Sequence, residues 1–485
     1  MASIEDVAGC TAGVDAQVRG VLGEVMAQRR SAGAAFDYVA ALSPGTKANC
    51  WALAEAAGHL GWGRMQGLLG PYRWEWAELR GRLPALAAAW LPDVAGDLIG
   101  PGIAIDETAQ LKAGRGTACA GPRHAGCTGR VENCVTTVFC AYVTAAGQAW
   151  ADFDVYMPDR QALDYRRRRA VGIPDELAFR TKPQLAMAQL GRLAAAGLPA
   201  RWTAFDEVYG RSQELRKRAA QAGLAYVAII PCSYQVTLAS GTVIRADEAV
   251  QDAVFERRSC GTGSRGPRYG DWAMAATAIP GQYLLIRRPL SGPGLLTFYL
   301  CWAPPGRPAT MTYFITIAGR RWPAEETFRT GKDTFGWDQC QARTWHGICR
   351  HTALSALAQL RAAAIRGALA GAITIPAPRY DDGNAPPGPA RGDDQASDAD
   401  LRIPLGDAPV PARAGQPCPA GIAPIRLSIA ETTRLAILAT QYTAGLITRT
   451  RLAFALAWSL RRRRHQATAR WHHYSARLQA LTGAG

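Results

Sequence analysis

Near residue 98 the spacing of apolar residues changes, and this change constrains the fold more than any other feature of the chain. Before it, apolar side chains recur at three- and four-residue steps, in Val14–Met26 and at Leu83, Leu86 and Trp90, which is the period of amphipathic helix. After it come short runs rich in β-branched and aromatic residues. Ile103–Asp106 is apolar and ends in an acid. Cys134–Val143 and Ala149–Tyr156, joined by the turn Ala146-Gly147, read as a hairpin. A helix is expected near 182–196, a strand Trp202–Phe205 ending at Asp206, a helix near 211–222 and a buried strand Tyr226–Ile230. Strands in antiparallel order that then alternate with helices give a mixed α/β sheet.

Residues 232–318 are strand-rich again, through Gln235–Leu238, Tyr283–Arg287, Leu296–Leu300 and Met311–Thr316. A helix is expected from Pro323 past Lys332, and a buried one over Ala353–Ala372. Residues 376–424 hold eleven of the thirty prolines, the composition of a linker or disordered loop. Beyond it a helical tail carries eight arginines and no acid between Arg449 and Arg477. The chain therefore divides into a helical region 1–95, a core beginning at 96–231, a β-rich segment 232–318, a helical return 319–373, a Pro-rich linker 374–425 and a basic helical tail 426–485.

Hydrophobic residues make up 48% of the 485, ample for a buried core and for two to four units of ordinary size. The net charge of +16 favours a polyanionic partner, either nucleic acid or an anionic membrane surface. No apolar stretch is long enough to span a bilayer, and Met1–Cys10 has neither a basic leader nor an apolar h-region. A cytoplasmic protein acting on DNA in the bacterial nucleoid is the expectation. The twelve cysteines of a long, unsecreted chain are expected as reduced, buried thiols. There is no Ser/His/Asp arrangement and no Gly-x4-Gly-Lys-Ser/Thr phosphate loop, which argues against an ATP-driven motor.

Three acids stand where a sheet could bring them together. Asp106 and Asp206 each end an apolar strand, and Glu325 lies in the first turn of the helix expected from Pro323. Two-metal phosphodiester chemistry uses such carboxylates, because magnesium takes oxygen ligands and keeps several of its waters. Taken singly, an Asp after a strand is more often a loop residue or helix cap. Arg321 lies one turn before Glu325 and Lys332 two turns after it, on the same helical face. Those cations suit the phosphates of a scissile strand, or else form a surface ladder of ion pairs.

At these residues the chain resembles the DDE transposases of bacterial insertion sequences, of the insertion sequence 701-type, related to the branch with the Tyr-x2-Arg-x3-Glu-x6-Lys signature. Arg321, Glu325 and Lys332 fit that spacing; the signature tyrosine would fall at Ala318. Ile105-Asp106-Glu107-Thr108 with Lys112 resembles the first-aspartate motif, and Phe205–Gly210 the second. The resemblance covers roughly residues 95–370. It implies a ribonuclease H-like mixed sheet with a β-rich insertion before the glutamate. It also implies two Mg2+ ions (with Mn2+ as a substitute) on Asp106, Asp206 and Glu325. The activity implied is cutting at the element ends, followed by attack of the freed 3′ hydroxyl on target DNA by a homodimer on double-stranded DNA. Glu107, Glu207 and Glu326 adjoin the three acids as possible supporting ligands. A nuclease that cuts without joining, or a DNA-binding protein that kept the fold and lost the reaction, are the alternatives.

Three further features stand apart. Residues 51–69 have the outline of a DNA-binding helix-turn-helix, and equally of any small helical hairpin. Cys119, His124, Cys127 and Cys134 are spaced loosely like a zinc knuckle but match no common site. Arg166–Arg169, expected in a loop, and Arg461, Arg462, Arg463 and Arg464, with Trp458, Trp471 and Tyr474 nearby, suit DNA backbone and end bases, or a solvated basic face.

Overall fold

The computed structural model describes residues 3–371, 411 and 416–482, apart from positions 95, 115, 127, 264–265 and 291–293. It opens with five helices: α1 (Ile4–Val25), α2 (Arg29–Ala41), α3 (Cys50–Ala56), α4 (Gly63–Leu69) and α5 (Trp76–Trp90). Ser3 and Asp6 form a reciprocal capping box at the start of α1, which satisfies two backbone donors that the first turn leaves free. Val7, Val14, Val18 and Leu22 then line its buried face. The Asn49 side chain accepts from the amides of Trp51 and Ala52 to start α3, and the chain turns toward α4 at Gly58, where φ is 73°. This is the helix, glycine turn and helix expected over 51–69, with seven residues in each helix.

The sheet begins with β1 (Gly102–Leu111), β2 (Gly121–Ala125), β3 (Arg130–Val143) and β4 (Gln148–Val155). Three helices follow: α6 (Asp159–Ala162), α7 (Tyr165–Ala170) and α8 (Lys182–Ala195). Arg166–Arg169 thus lie in a short helix, not the expected loop, because Asp164 caps it by accepting from the Arg167 amide. Then come β5 (Trp202–Phe205), α9 (Glu207–Gly210), α10 (Gln213–Gln221) and β6 (Ala225–Ile230). A two-stranded ribbon of β7 (Gln235–Thr237) and β8 (Val243–Arg245) precedes β9 (Glu256–Gly263), β10 (Gly266–Ala276), β11 (Gln282–Pro289) and β12 (Thr297–Trp302).

Ten strands form one mixed sheet in the order β2-β3-β1-β5-β6-β12-β11-β10-β9, with β4 paired to β3. β1 is antiparallel to β3 and parallel to β5, and β5 is parallel to β6. This large mixed sheet is consistent with a ribonuclease H-like fold of the DDE type. β9–β12, from the segment expected as an insertion, continue the main sheet beyond β6 through antiparallel β12.

The chain ends in α11 (Met311–Asp333), α12 (Trp345–Leu369), α13 (Ile429–Thr443) and α14 (Arg449–Thr482). The strand expected at Met311–Thr316 is instead the first part of α11. Thr310 caps it by accepting from the Tyr313 amide, and Tyr313, Phe314, Ile315 and Ile317 are all buried. A helix buried on several sides loses the periodic polar face that would mark it, so its apolar run looks like a strand. α11 also passes unbroken through position 323, where a helix start was expected. A proline there has no N–H for the carbonyl of Gly319; Arg268 Nη2 donates to that oxygen instead, at 2.8 Å.

α12 runs through the core with its polar residues partnered inside the protein. Arg350 donates to the carbonyls of Leu68, Gly70 and Trp74, and Arg361 pairs with Asp15 of α1 through two bonds of 2.5 and 3.0 Å. Gln359 accepts from the Trp150 amide and donates to the Thr327 carbonyl. Such pairing is what allows polar groups into an apolar interior. One hydrophobic core joins α1, α2 and α5 to the sheet, α11 and α12. Of the expected linker 374–425, residues 374–410 and 412–415 lie outside the described residues. Ile422 and Ile425 pack against Ala467 and Trp471 of α14. Among the described residues no helix is long and apolar enough to cross a membrane.

Candidate active site

Register places the two aspartates side by side. Ile105 of β1 pairs with Phe205 of β5 in the parallel ladder, so Asp106 and Asp206, the next residue of each, are neighbours. Asp106 does not end its strand as expected; β1 continues to Leu111 because its antiparallel ladder with β3 persists to Cys134. Asp206 leaves β5 as the N-cap of α9, accepting from the Tyr209 amide at 3.1 Å. Gly210 lets α9 lie against β6: a Cβ there would stand 1.9 Å from the Ile229 carbonyl oxygen.

α11 packs across β1 and β5 and supplies the third acid through an arginine. Arg321 Nη2 lies 3.0 Å from Asp106 Oδ2, and its Nη1 lies 2.8 Å from Glu325 Oε1. Glu325 sits well inside α11, not in its first turn.

Burial raises the pKa of Asp106 to about 7. Arg321 acts against that rise, while Asp206 and Glu107 add to it and the Glu107 N–H, 2.8 Å from Oδ1, opposes it. Asp206 is also raised, chiefly by burial, with the Tyr209 N–H opposing and Glu107 adding. Burial works against the charge of Arg321, yet Asp106, Glu325 and Asp206 hold its pKa above the ordinary value. A cation is thus held among clustered acids.

Glu107 follows Asp106 and, by the alternation of a strand, points to the other face. There Tyr209 Oη donates to its Oε2 at 2.5 Å and Lys182, at the start of α8, pairs with its Oε1. Tyr209 therefore touches the site twice, by its amide to Asp206 and by its hydroxyl to Glu107. The Asp206–Gly210 motif contained Tyr209, but neither it nor Lys182 stood out in the sequence, because their partner lies about a hundred or 75 residues away.

The other sequence candidates are distributed differently. Lys112 is half-buried and donates from Nζ to the Cys340 carbonyl at 2.5 Å; burial lowers its pKa. Lys332 is half-buried near the end of α11. Glu207 pairs with Arg211 and Glu326 with Arg329 along helix surfaces. In the tail, Arg461 and Arg464 are exposed. Arg462 pairs with Glu431 at 3.1 Å, and buried Arg463 donates to the Ile425 carbonyl at 2.9 Å. Trp471 is buried and donates to the Gln416 carbonyl. Cys119 is buried, which pushes its thiol up to about 12. His124 is exposed, Cys134 is buried within β3, and Cys127 lies outside the described residues.

Among the described residues no three or more His, Cys, Asp or Glu side chains stand together as a metal site. Asp106 and Asp206 nonetheless offer carboxylate oxygens, the donors a hard divalent cation prefers. Burial and neighbouring carboxylates disfavour their charged forms, and Arg321 works against this at both. Arg321, bonded to Asp106 and Glu325, is the cation that links the third carboxylate to that pair.

A search among curated proteins finds no match to the chain. Two family models do match. One, described as DDE superfamily endonuclease, matches residues 21–259, and the other, described as transposase DDE domain, matches residues 185–360. Between them they take in β1, β5 and α11, and so Asp106, Asp206 and Glu325. The chain is therefore similar to DDE superfamily endonucleases and to transposase DDE domains, and the two matches together support a DDE transposase.

Proposed function

We propose that the protein is an insertion-sequence transposase, of the 701 type, that cuts DNA at the ends of its element and joins the freed 3′ ends to target DNA. The observation that carries this is the juxtaposition of Asp106 and Asp206 on adjacent parallel strands, with Glu325 tied to Asp106 through Arg321. Asp106, Asp206 and Glu325 would hold magnesium, or manganese in its place, which supplies Lewis-acid stabilisation of the attacking and leaving oxygens when bound.

The chain's own residues do the remaining work. Arg321 sets positive charge beside the acids, and Lys332 extends it along α11 toward a scissile phosphate. Tyr209 and Lys182 hold Glu107, and Tyr209 also holds Asp206, so β1 and α9 keep the two aspartates in fixed orientation. The partner is double-stranded DNA, as element end and as target. Joining two ends calls for two copies of the chain, and the nucleoid is where such substrates lie.

A strand-transfer assay tests this against cutting alone. A duplex that carries a pre-cut element end with a free 3′ hydroxyl is incubated with a supercoiled target and Mg2+. A covalent joint between duplex and target is expected; cut target without a joint would leave a nuclease.

A further inference from the structure

We propose that an exposed stripe of α14, formed by Arg451, Phe454, Trp458, Arg461 and His465, binds unpaired DNA. α14 has 34 residues, about 50 Å at the helical rise. Leu452, Leu456, Ser459, Leu460, Arg463, Ala467 and Trp471 form its buried side. The stripe residues recur at steps of three, four, three and four, so they share one face, and all five are exposed.

Two aromatic side chains on that face stand open to solvent, Phe454 at 62% and Trp458 at 48%. Their rings are nearly parallel, 7° apart with centroids at 6.3 Å, and the Arg461 guanidinium lies 5.7 Å from the Trp458 ring. Exposed aromatics in a row call for a partner that covers them. Charge selects which one. Arg451 and Arg461 bracket the rings, His465 extends the line, and Arg449–Thr482 contains no acid. Ion pairs of α14, such as Arg449 with Glu5 and Arg462 with Glu431, fall outside the stripe. A row of cations with aromatic faces between them complements a polyanion whose bases can stack, the chemistry of single-strand binding surfaces. A duplex hides its base faces within the helix stack, so the aromatic part of the stripe serves unpaired bases.

The surface differs from the tail residues singled out in the sequence. Arg463 and Trp471 are buried and Arg462 is ion-paired, whereas Arg451 and Phe454, which the arginine run does not include, complete the line. As a source of unpaired bases, the inference rests on the transposase reading, in which DNA ends are opened and cut.

The test uses the full chain, a short oligothymidine and a duplex, at matched salt. Wild type is expected to bind the oligothymidine with a change in tryptophan fluorescence. Phe454→Ala/Trp458→Ala should weaken that binding by about tenfold or more and leave duplex affinity unchanged. Arg451→Gln/Arg461→Gln should weaken binding and lower its salt dependence. Both rings are exposed, so thermal unfolding of the aromatic variant is expected to match wild type. Equal loss on both DNA forms, or no loss on the oligothymidine, overturns the proposal. So does a concentration-dependent dimer that the aromatic variant abolishes, which would assign the stripe to contact between copies. Failure of these arms with normal strand transfer removes only the stripe, while absence of binding to any DNA removes the transposase reading itself.

Discussion

His351 shows how firmly single polar residues are committed in this interior. Its ring is fully buried on α12, with Nδ1 2.8 Å from Tyr38 Oη and Nε2 3.0 Å from the Trp337 carbonyl. Burial lowers its pKa from 6.5 to about 4, the Trp337 carbonyl opposing that shift and Lys112 adding to it. In the unfolded chain the imidazole takes up a proton below about pH 6.5, while in the folded protein it stays neutral until about pH 4. The stability contributed by neutral His351 is therefore complete above pH 6.5 and is lost as pH falls through 4, by up to about 3 kcal/mol. Urea midpoints measured across that window should fall with pH in the wild type and fall less in His351→Gln, whatever the variant's overall stability. Equal slopes for the two proteins would mean that the ring titrates as it does in water. Arg321 is a second case: three acids hold its charge in spite of burial, so its place among them is set by electrostatics as well as by its helix.

α11 is the element that carries Arg321 and Glu325 to the aspartates, and its approach to the sheet depends on missing side chains, Gly331 against Trp150 of β4 and Gly319 against β9. A Cβ on Gly319 would stand 1.6 Å from the Cys260 carbonyl oxygen of β9, a contact that no rotamer relieves. Gly319→Ala should therefore cost at least about 1–3 kcal/mol and shift α11 from β9. Chemical denaturation would report it, and a variant as stable as wild type would show that α11 lies farther out. The same helix marks the limit of what the sequence makes legible. β1, β5 and β6 were readable because strands buried on both faces are short apolar runs with β-branched and aromatic residues. Met311–Ile317 has the same character and was misread as strand; its helical state is set by the Thr310 cap and by burial, and only the cap is local. The acids were legible as acids after apolar runs, and Arg321 as the cation one turn before Glu325. Tyr209 and Lys182 were not, because what defines them is Glu107, distant in sequence and adjacent only once β1, α8 and α9 have packed.

Over the whole molecule, the helical N-terminal region and the sheet are one body. Val14, Val18 and Leu22 of α1 share a core with Trp150 of β4 and Leu357 of α12, and the Asp15–Arg361 pair ties α1 to α12 within it. The match to DDE superfamily endonucleases, over residues 21–259, likewise runs from α1 into β9 across the expected boundary at 95. On the proposed function, the net charge of +16 over the 485 residues would draw in DNA, and the acid cluster beneath Arg321 is the point where that DNA would be cut. Cleavage of a supercoiled plasmid carrying the element ends, in Mg2+, tests this most directly. Wild type is compared with Asp106→Asn, Asp206→Asn and Glu325→Gln, with end-binding measured alongside. All three variants should bind the ends and leave them uncut; cutting at the wild-type rate by any one of them would contradict a shared three-carboxylate site.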